Sequence, residues 1–122
     1  MRPHPGLAPT GIIAMFNTPE FQALRREYLQ GVMERCAHMR AEAEKLSRGE
    51  AVDLRQLRQE IHKCRGSGGF YGFAGLSQAS AAAEDQLVLV IDEEIERDDT
   101  QLANLVHKVV EAAEAAAKET GL

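Results

Sequence analysis

The sequence has no tryptophan, and its 122 residues include only two cysteines, four prolines and 5% aromatic residues. No apolar run approaches the roughly 20 residues that a membrane-spanning helix needs, and the stretch at positions 12–16 is too short for a signal-peptide core. We therefore expect a cytoplasmic protein without a membrane segment. Cys36 and Cys64 have no paired spacing, which favours buried free thiols over the alternatives of a redox switch or a zinc site.

An excess of positive charge is also missing, because 14 Lys and Arg residues face 19 Asp and Glu residues, for a net charge of −5. A nucleic-acid partner would require a basic field, so we expect none. The four histidines have no metal-ligand spacing, and the glycine-rich run at 66–72 fits neither a dinucleotide-binding nor a Walker motif. We expect no metal or cofactor, and solvated side chains at His38 and His107.

The sequence is rich in alanine, leucine, glutamate, arginine and glutamine, and its apolar residues recur at helical rather than strand spacing. Helix starts are indicated at Thr18-Pro19, at Asp53 and at Asp98, and Gly49 ends the first helix. A turn near Gly72 separates the second and third helices. These signals predict an all-α fold, an antiparallel four-helix bundle over residues 18–122, preceded by an irregular arm at 1–17 that contains three prolines.

The predicted first, third and fourth helices each have one apolar face. In the first helix we expect this face to contain Phe21, Leu24, Tyr28, Val32, Cys36, Met39, Ala43 and Leu46. In the third helix the inward residues are Leu76, Ala79, Ala83, Leu87, Val90 and Ile91. In the fourth they are Leu102, Leu105, Val106, Val109, Ala112, Ala113 and Ala116.

The second helix carries a histidine beside its apolar face. Leu54, Leu57, Ile61, Cys64, Gly68 and Tyr71 keep a three-four spacing, which places them on one side of the helix. His62 follows Ile61 and therefore stands at the edge of the buried face, in a basic stripe with Arg55, Arg58 and Arg65. Such a histidine, open to a partner's active site and flanked by cations, suits phosphoryl transfer.

Glycines inside a helix each cost roughly 1 kcal/mol relative to alanine, so the run that follows His62 requires an explanation. Gly66 and Gly69 lie one and two turns beyond His62, and we expect them to leave the imidazole accessible. Gly68 lies on the core face, where a missing side chain allows close packing against the small residues of the third helix.

The turn at Phe73 relates His62 to an acidic residue. His62 lies eleven residues before it and Glu84 eleven after it, so in an antiparallel pair both lie roughly 16 Å from the turn, at one level. A carboxylate at one ring nitrogen would orient the imidazole and leave the other nitrogen as a nucleophile toward phosphorus. The alternative is a surface ion pair worth at most about 1 kcal/mol.

Residues 53–88 resemble the histidine-containing phosphotransfer (HPt) domain, in the form found in chemotaxis histidine kinases. The residues that carry the resemblance are His62, Arg65 in place of the usual lysine, Gly66, Gly72 and Glu84. The resemblance implies that His62 is phosphorylated, that Glu84 orients the imidazole and that Arg65 contacts the phosphate. It also implies a monomeric phosphocarrier whose partners are a sensor histidine kinase and a response-regulator receiver domain, with magnesium belonging to the receiver.

Around this site we assign a partner-docking surface to Arg58, Lys63, Gly66 and Gly69. Autokinase activity is not expected, because no ATP site is present and Lys63 occupies the position after the histidine where a kinase dimerisation helix typically has an acid. The alternative function is a helical adaptor that binds receiver or kinase partners without being phosphorylated.

Overall fold

The computed structural model describes residues 16–122, which form four α-helices. They are α1 (Pro19–Ser47), α2 (Leu54–Phe70), α3 (Ala74–Ile91) and α4 (Asp99–Glu119). No strand occurs within this range, so the prediction of an all-α bundle is confirmed. Most of the predicted N-terminal arm, residues 1–15, lies outside the described range, and that arm stays a prediction.

The helix ends follow the capping signals of the sequence. The side chains of Thr18, Asp53 and Asp98 each accept a hydrogen bond from the backbone amide three residues later, at 3.2, 3.1 and 3.0 Å. Each bond satisfies an amide that the helix itself leaves without an acceptor. At the other ends, Gly49 and Gly72 adopt φ values of 70° and 84°, which favour glycine, and so they allow the chain to leave α1 and α2.

The bundle consists of two closely packed antiparallel pairs, α1 with α4 and α2 with α3, and α3 also packs on α4. Contacts between α1 and α2 are sparser and include polar ones. In this seam the hydroxyl groups of Tyr28 and Ser67 lie 3.2 Å apart, and Nδ1 of His38 lies 3.0 Å from Glu60. The His38 side chain is 43% exposed, as expected, and it also links the two helices.

The predicted apolar faces are buried or half-buried except at Leu24, and the core also contains Leu29, Ala103 and Val110, which the prediction did not include. Leu24 is 49% exposed, so its assignment to the buried face of α1 was wrong. At 100° per residue it lies roughly 60° to one side of Phe21, outside the arc that faces the other helices. The fully buried large side chains are Leu29, Met39, Leu46, Leu57, Ile61, Leu76, Leu87, Leu102, Val32, Val106, Val109 and Val110.

Two polar residues, Ser80 and Glu84, are buried on α3 next to Ala83 and Leu87. A buried carboxylate is costly unless it is paired and hydrogen-bonded, so Glu84 requires partners from another helix. The spacing of the sequence placed Glu84 beside the core, and the structure places it inside. Within the described residues, none of the helices is long and apolar enough to span a bilayer.

Candidate functional site

The site is formed by one face of α2 and the facing residues of α3. Arg58, His62 and Arg65 are spaced by four and three residues on α2, so their side chains emerge in one row. All three converge on a single carboxylate, that of Glu84 on α3. The antiparallel pairing of α2 and α3 brings Glu84 to the level of His62, as the equal distances from Phe73 predict.

Both oxygens of Glu84 accept hydrogen bonds. Oε2 lies 2.6 Å from Nδ1 of His62 and accepts from Nε of Arg58 at 2.9 Å. Oε1 accepts from Nη1 of Arg65 at 3.2 Å. The Glu84 side chain is only 4% exposed, so these contacts replace the water that a carboxylate would otherwise bind. Both oxygens of the carboxylate are thereby bound by side chains of α2.

His62 has one engaged and one accessible ring nitrogen. An ionised carboxylate can only accept, so the contact with Glu84 places a hydrogen on Nδ1. In a neutral imidazole the lone pair is then on Nε2, and the His62 side chain is 60% exposed. The arrangement therefore presents a nucleophilic nitrogen to a partner while the far side of the ring is anchored.

Arg65 has a second partner that the sequence analysis missed. Its Nη1 lies 3.0 Å from Oδ1 of Asp85, slightly closer than to Glu84. The hydrogen bond to Asp85, followed by that to Glu84, raises the pKa of Arg65 above its ordinary value, so the guanidinium stays charged. The adjacency of Asp85 to Glu84 was the available signal, but helix spacing alone does not show that both carboxylates reach the same arginine.

The three glycines near His62 have different surroundings. A Cβ atom built on Gly66 meets nothing within 4 Å, whereas one on Gly68 would lie 3.4 Å from the Leu76 side chain. These positions agree with an open surface at Gly66 and packing at Gly68. Gly69 is exposed. A Cβ atom on Gly69 would nevertheless lie 3.4 Å from Oγ of Ser77, so this part of the α2 backbone also lies against α3. The assignment of Gly69 to the docking surface stays a prediction.

The remaining surface around His62 is mixed. Lys63 is exposed on α2, but it is not among the side chains that contact Glu84. Val88 and Leu89 of α3 border a shallow depression that also contains His62. Further along α2, Phe70 is 60% exposed and packs edge-on against Tyr71 with ring centroids 5.0 Å apart. The sequence analysis assigned no role to Phe70, although its position two residues after core-facing Gly68 places it off the apolar face of α2.

The cysteines lie on the buried faces of α1 and α2. Cys36 and Cys64 are buried free thiols. Burial is the main cause that raises the pKa of Cys36 to about 11, and burial likewise raises that of Cys64. Across residues 16–122 no group of three or more His, Cys, Asp or Glu side chains is arranged to hold a metal ion.

Comparison with known proteins agrees with this geometry. The chain has no match among curated proteins or among solved structures. A family model described as Hpt domain matches residues 23–116, which include all of α2 and α3. That family supports a phosphotransfer role in two-component systems and implies interaction with kinase or receiver partners. Since the match covers most of the sequence and contains both His62 and Glu84, the chain belongs to the Hpt domain family.

Proposed function

We propose that this protein carries a phosphoryl group on Nε2 of His62, to or from an aspartate of a response-regulator receiver domain. The observation that carries the proposal is the 2.6 Å contact between Nδ1 of His62 and Glu84, which leaves the opposite nitrogen exposed. A sensor histidine kinase is the other expected partner. The protein acts as a monomeric cytoplasmic phosphocarrier rather than as a complete enzyme.

In the accepting direction, the Nε2 lone pair attacks the phosphorus of the receiver's aspartyl phosphate. The N–P bond forms as the O–P bond breaks, and the aspartate carboxylate leaves with the electron pair. The hydrogen on Nδ1 stays in place, so the phosphorylated ring acquires positive character. Glu84 stabilises that charge through the contact it already makes, and no proton has to move during the step.

The two arginines supply donors for the phosphoryl oxygens. A guanidinium has five N–H groups. Arg58 uses Nε on Glu84, and Arg65 uses Nη1 on Glu84 and Asp85, so each retains further N–H groups beside the imidazole. Both side chains are thus held by one partner and still able to bind an anion. We assign Arg65 to a direct phosphate contact, with Arg58 on the other side of His62.

The docking surface continues along α2 from the imidazole. Gly66 leaves open backbone one turn beyond His62, where a side chain would stand between the ring and an approaching receiver. Lys63 and Gly69 complete the assigned surface, and the exposed ring of Phe70 adds an apolar contact near its end. Aromatic residues are enriched at protein–protein interfaces relative to the rest of the surface.

A transfer profile tests the proposal. The protein is incubated with each receiver domain of the source genome after that receiver has been phosphorylated with acetyl phosphate, and phosphoprotein gels follow the label. Transfer to this chain, with the label mapped to His62 and labile in acid, supports phosphotransfer. Binding to a receiver with no labelling of His62 by any receiver supports the non-phosphorylated adaptor instead.

A further inference from the structure

Asp85 occupies a distinctive position at the site. It follows the buried Glu84 on α3, yet its own side chain is 68% exposed. Its Oδ1 atom lies 3.0 Å from Nη1 of Arg65, and this is the one ion pair that Asp85 makes among residues 16–122. Arg65 is therefore shared between a buried carboxylate and a solvent-facing one through the same nitrogen.

The two carboxylates differ in the donor groups whose charge they balance. Glu84 accepts from Arg58, His62 and Arg65, and its charge is required to balance these donors inside the α2–α3 contact. Asp85 has no such buried role, because Arg65, its one ion-pair partner within the described residues, is also paired with Glu84. An exposed ion pair of this kind contributes little to folding. Its charge is therefore available to affect what happens at the surface beside His62.

A phosphoryl group on His62 would bring a second negative charge to the surface where the Asp85 carboxylate holds Arg65. Its oxygens are anionic and would compete with Asp85 for the donors of Arg65. The Asp85 carboxylate would also repel them, since like charges at short range disfavour one another. Both effects raise the free energy of the phosphorylated form relative to the free histidine.

We propose that Asp85 competes with the phosphoryl group for Arg65 and thereby favours transfer of phosphate from His62 onward to the receiver. Asp85 is a positioning residue that acts mainly by holding Arg65, and repulsion between its own charge and the phosphoryl oxygens is the smaller effect. The inference rests on the proposed phosphorylation of His62. It adds an influence on the direction of phosphate flow that opposes the stabilisation of the phosphorylated ring by Glu84.

The test is the equilibrium of phosphoryl exchange between the full chain and the receiver that accepts phosphate most rapidly in the transfer profile. Asp85→Asn should shift this equilibrium toward phosphorylated His62 by about threefold to tenfold, as expected for one removed charge at short range. Asp85→Glu keeps the charge and should resemble the wild type. Glu111→Gln removes one exposed charge from α4 and should leave the equilibrium unchanged.

A double-mutant cycle tests whether Asp85 acts through Arg65. If Asp85 acts through Arg65, the shift caused by Asp85→Asn should be smaller in an Arg65→Gln background. An equal shift in both backgrounds would overturn the competition for Arg65. An unchanged equilibrium in Asp85→Asn, with His62 still labelled, would overturn the inference while leaving the proposed function intact. Loss of labelling in the wild type itself would instead contradict the proposed function.

Discussion

Nδ1 of His62 lies 2.6 Å from Oε2 of Glu84, although 22 positions of sequence separate the two residues. The contact joins an exposed imidazole to a carboxylate that is almost completely buried. Because the buried partner cannot move without disturbing α3, the ring of His62 is held in one orientation. The nucleophile is thus positioned by the fold before any partner arrives.

The first prediction concerns the acceptor. His62→Gln should abolish labelling by phosphoramidate and by a phosphorylated receiver, because it removes the nucleophilic nitrogen. In the wild type the label should be labile in acid and stable in base. His38→Gln is the matched control, since both ring nitrogens of His38 already lie within 3.1 Å of carboxylates. Undiminished labelling of His62→Gln would contradict the proposed function.

The second prediction separates the charge of Glu84 from its volume. Glu84→Gln keeps the shape and one acceptor oxygen but loses the charge that supports the phosphorylated ring. Transfer should slow by about fivefold, because a charged acceptor contributes roughly 1 kcal/mol more than a neutral one. Glu84→Ala should also lower the free energy of unfolding by about 1–3 kcal/mol, because three donors lose their shared partner. Stopped-flow transfer and urea denaturation measure the two effects, and a normal rate in Glu84→Gln would reduce Glu84 to a structural residue.

The third prediction concerns access at Gly66. Gly66→Ala should stabilise α2 by up to about 1 kcal/mol, since nothing lies within 4 Å of the added carbon. Gly66→Leu should fold normally and accept phosphate from phosphoramidate, yet exchange it slowly with a receiver because the side chain blocks docking. Circular dichroism with both transfer assays gives the result. Normal exchange with the receiver, or loss of folding, would show that access is not the reason for this glycine.

Gly68 provides the opposite case. A Cβ atom there would already lie 3.4 Å from Leu76, so a leucine cannot fit between α2 and α3 without moving them. Gly68→Leu should lower the free energy of unfolding by about 1–3 kcal/mol through overpacking. Urea denaturation beside Gly66→Leu measures this difference, and equal stability of the two variants would contradict the packing assignment.

The last prediction concerns the thiols. Since burial raises the pKa of Cys36 to about 11, the folded protein keeps this thiol protonated at pH values where an unfolded chain, with a pKa of 9.0, releases the proton. The free energy of unfolding should therefore fall as the pH rises from 9 to about 11. At pH 8, both thiols should react slowly with a thiol-specific reagent unless urea unfolds the chain. Rapid reaction of the native protein would contradict this assignment.

Much of the fold was predictable because its signals are local. Thr18, Asp53 and Asp98 begin helices through hydrogen bonds that reach only three residues, and Gly49 and Gly72 end them through their own backbone conformations. Apolar spacing then defined the helix faces. It failed at Leu24, because a helical stripe has edges and only the packed bundle decides where burial stops.

The sequence by itself determined the four helices and, through the hairpin at Phe73, the common level of His62 and Glu84. Only the tertiary structure decided that Glu84 is buried, that Asp85 shares Arg65 with it, and that Gly69 lies against Ser77. Helix spacing defines the direction of a side chain on its own helix. Burial and shared hydrogen bonds depend on the rotation and separation of two helices, which are set by packing over the whole interface.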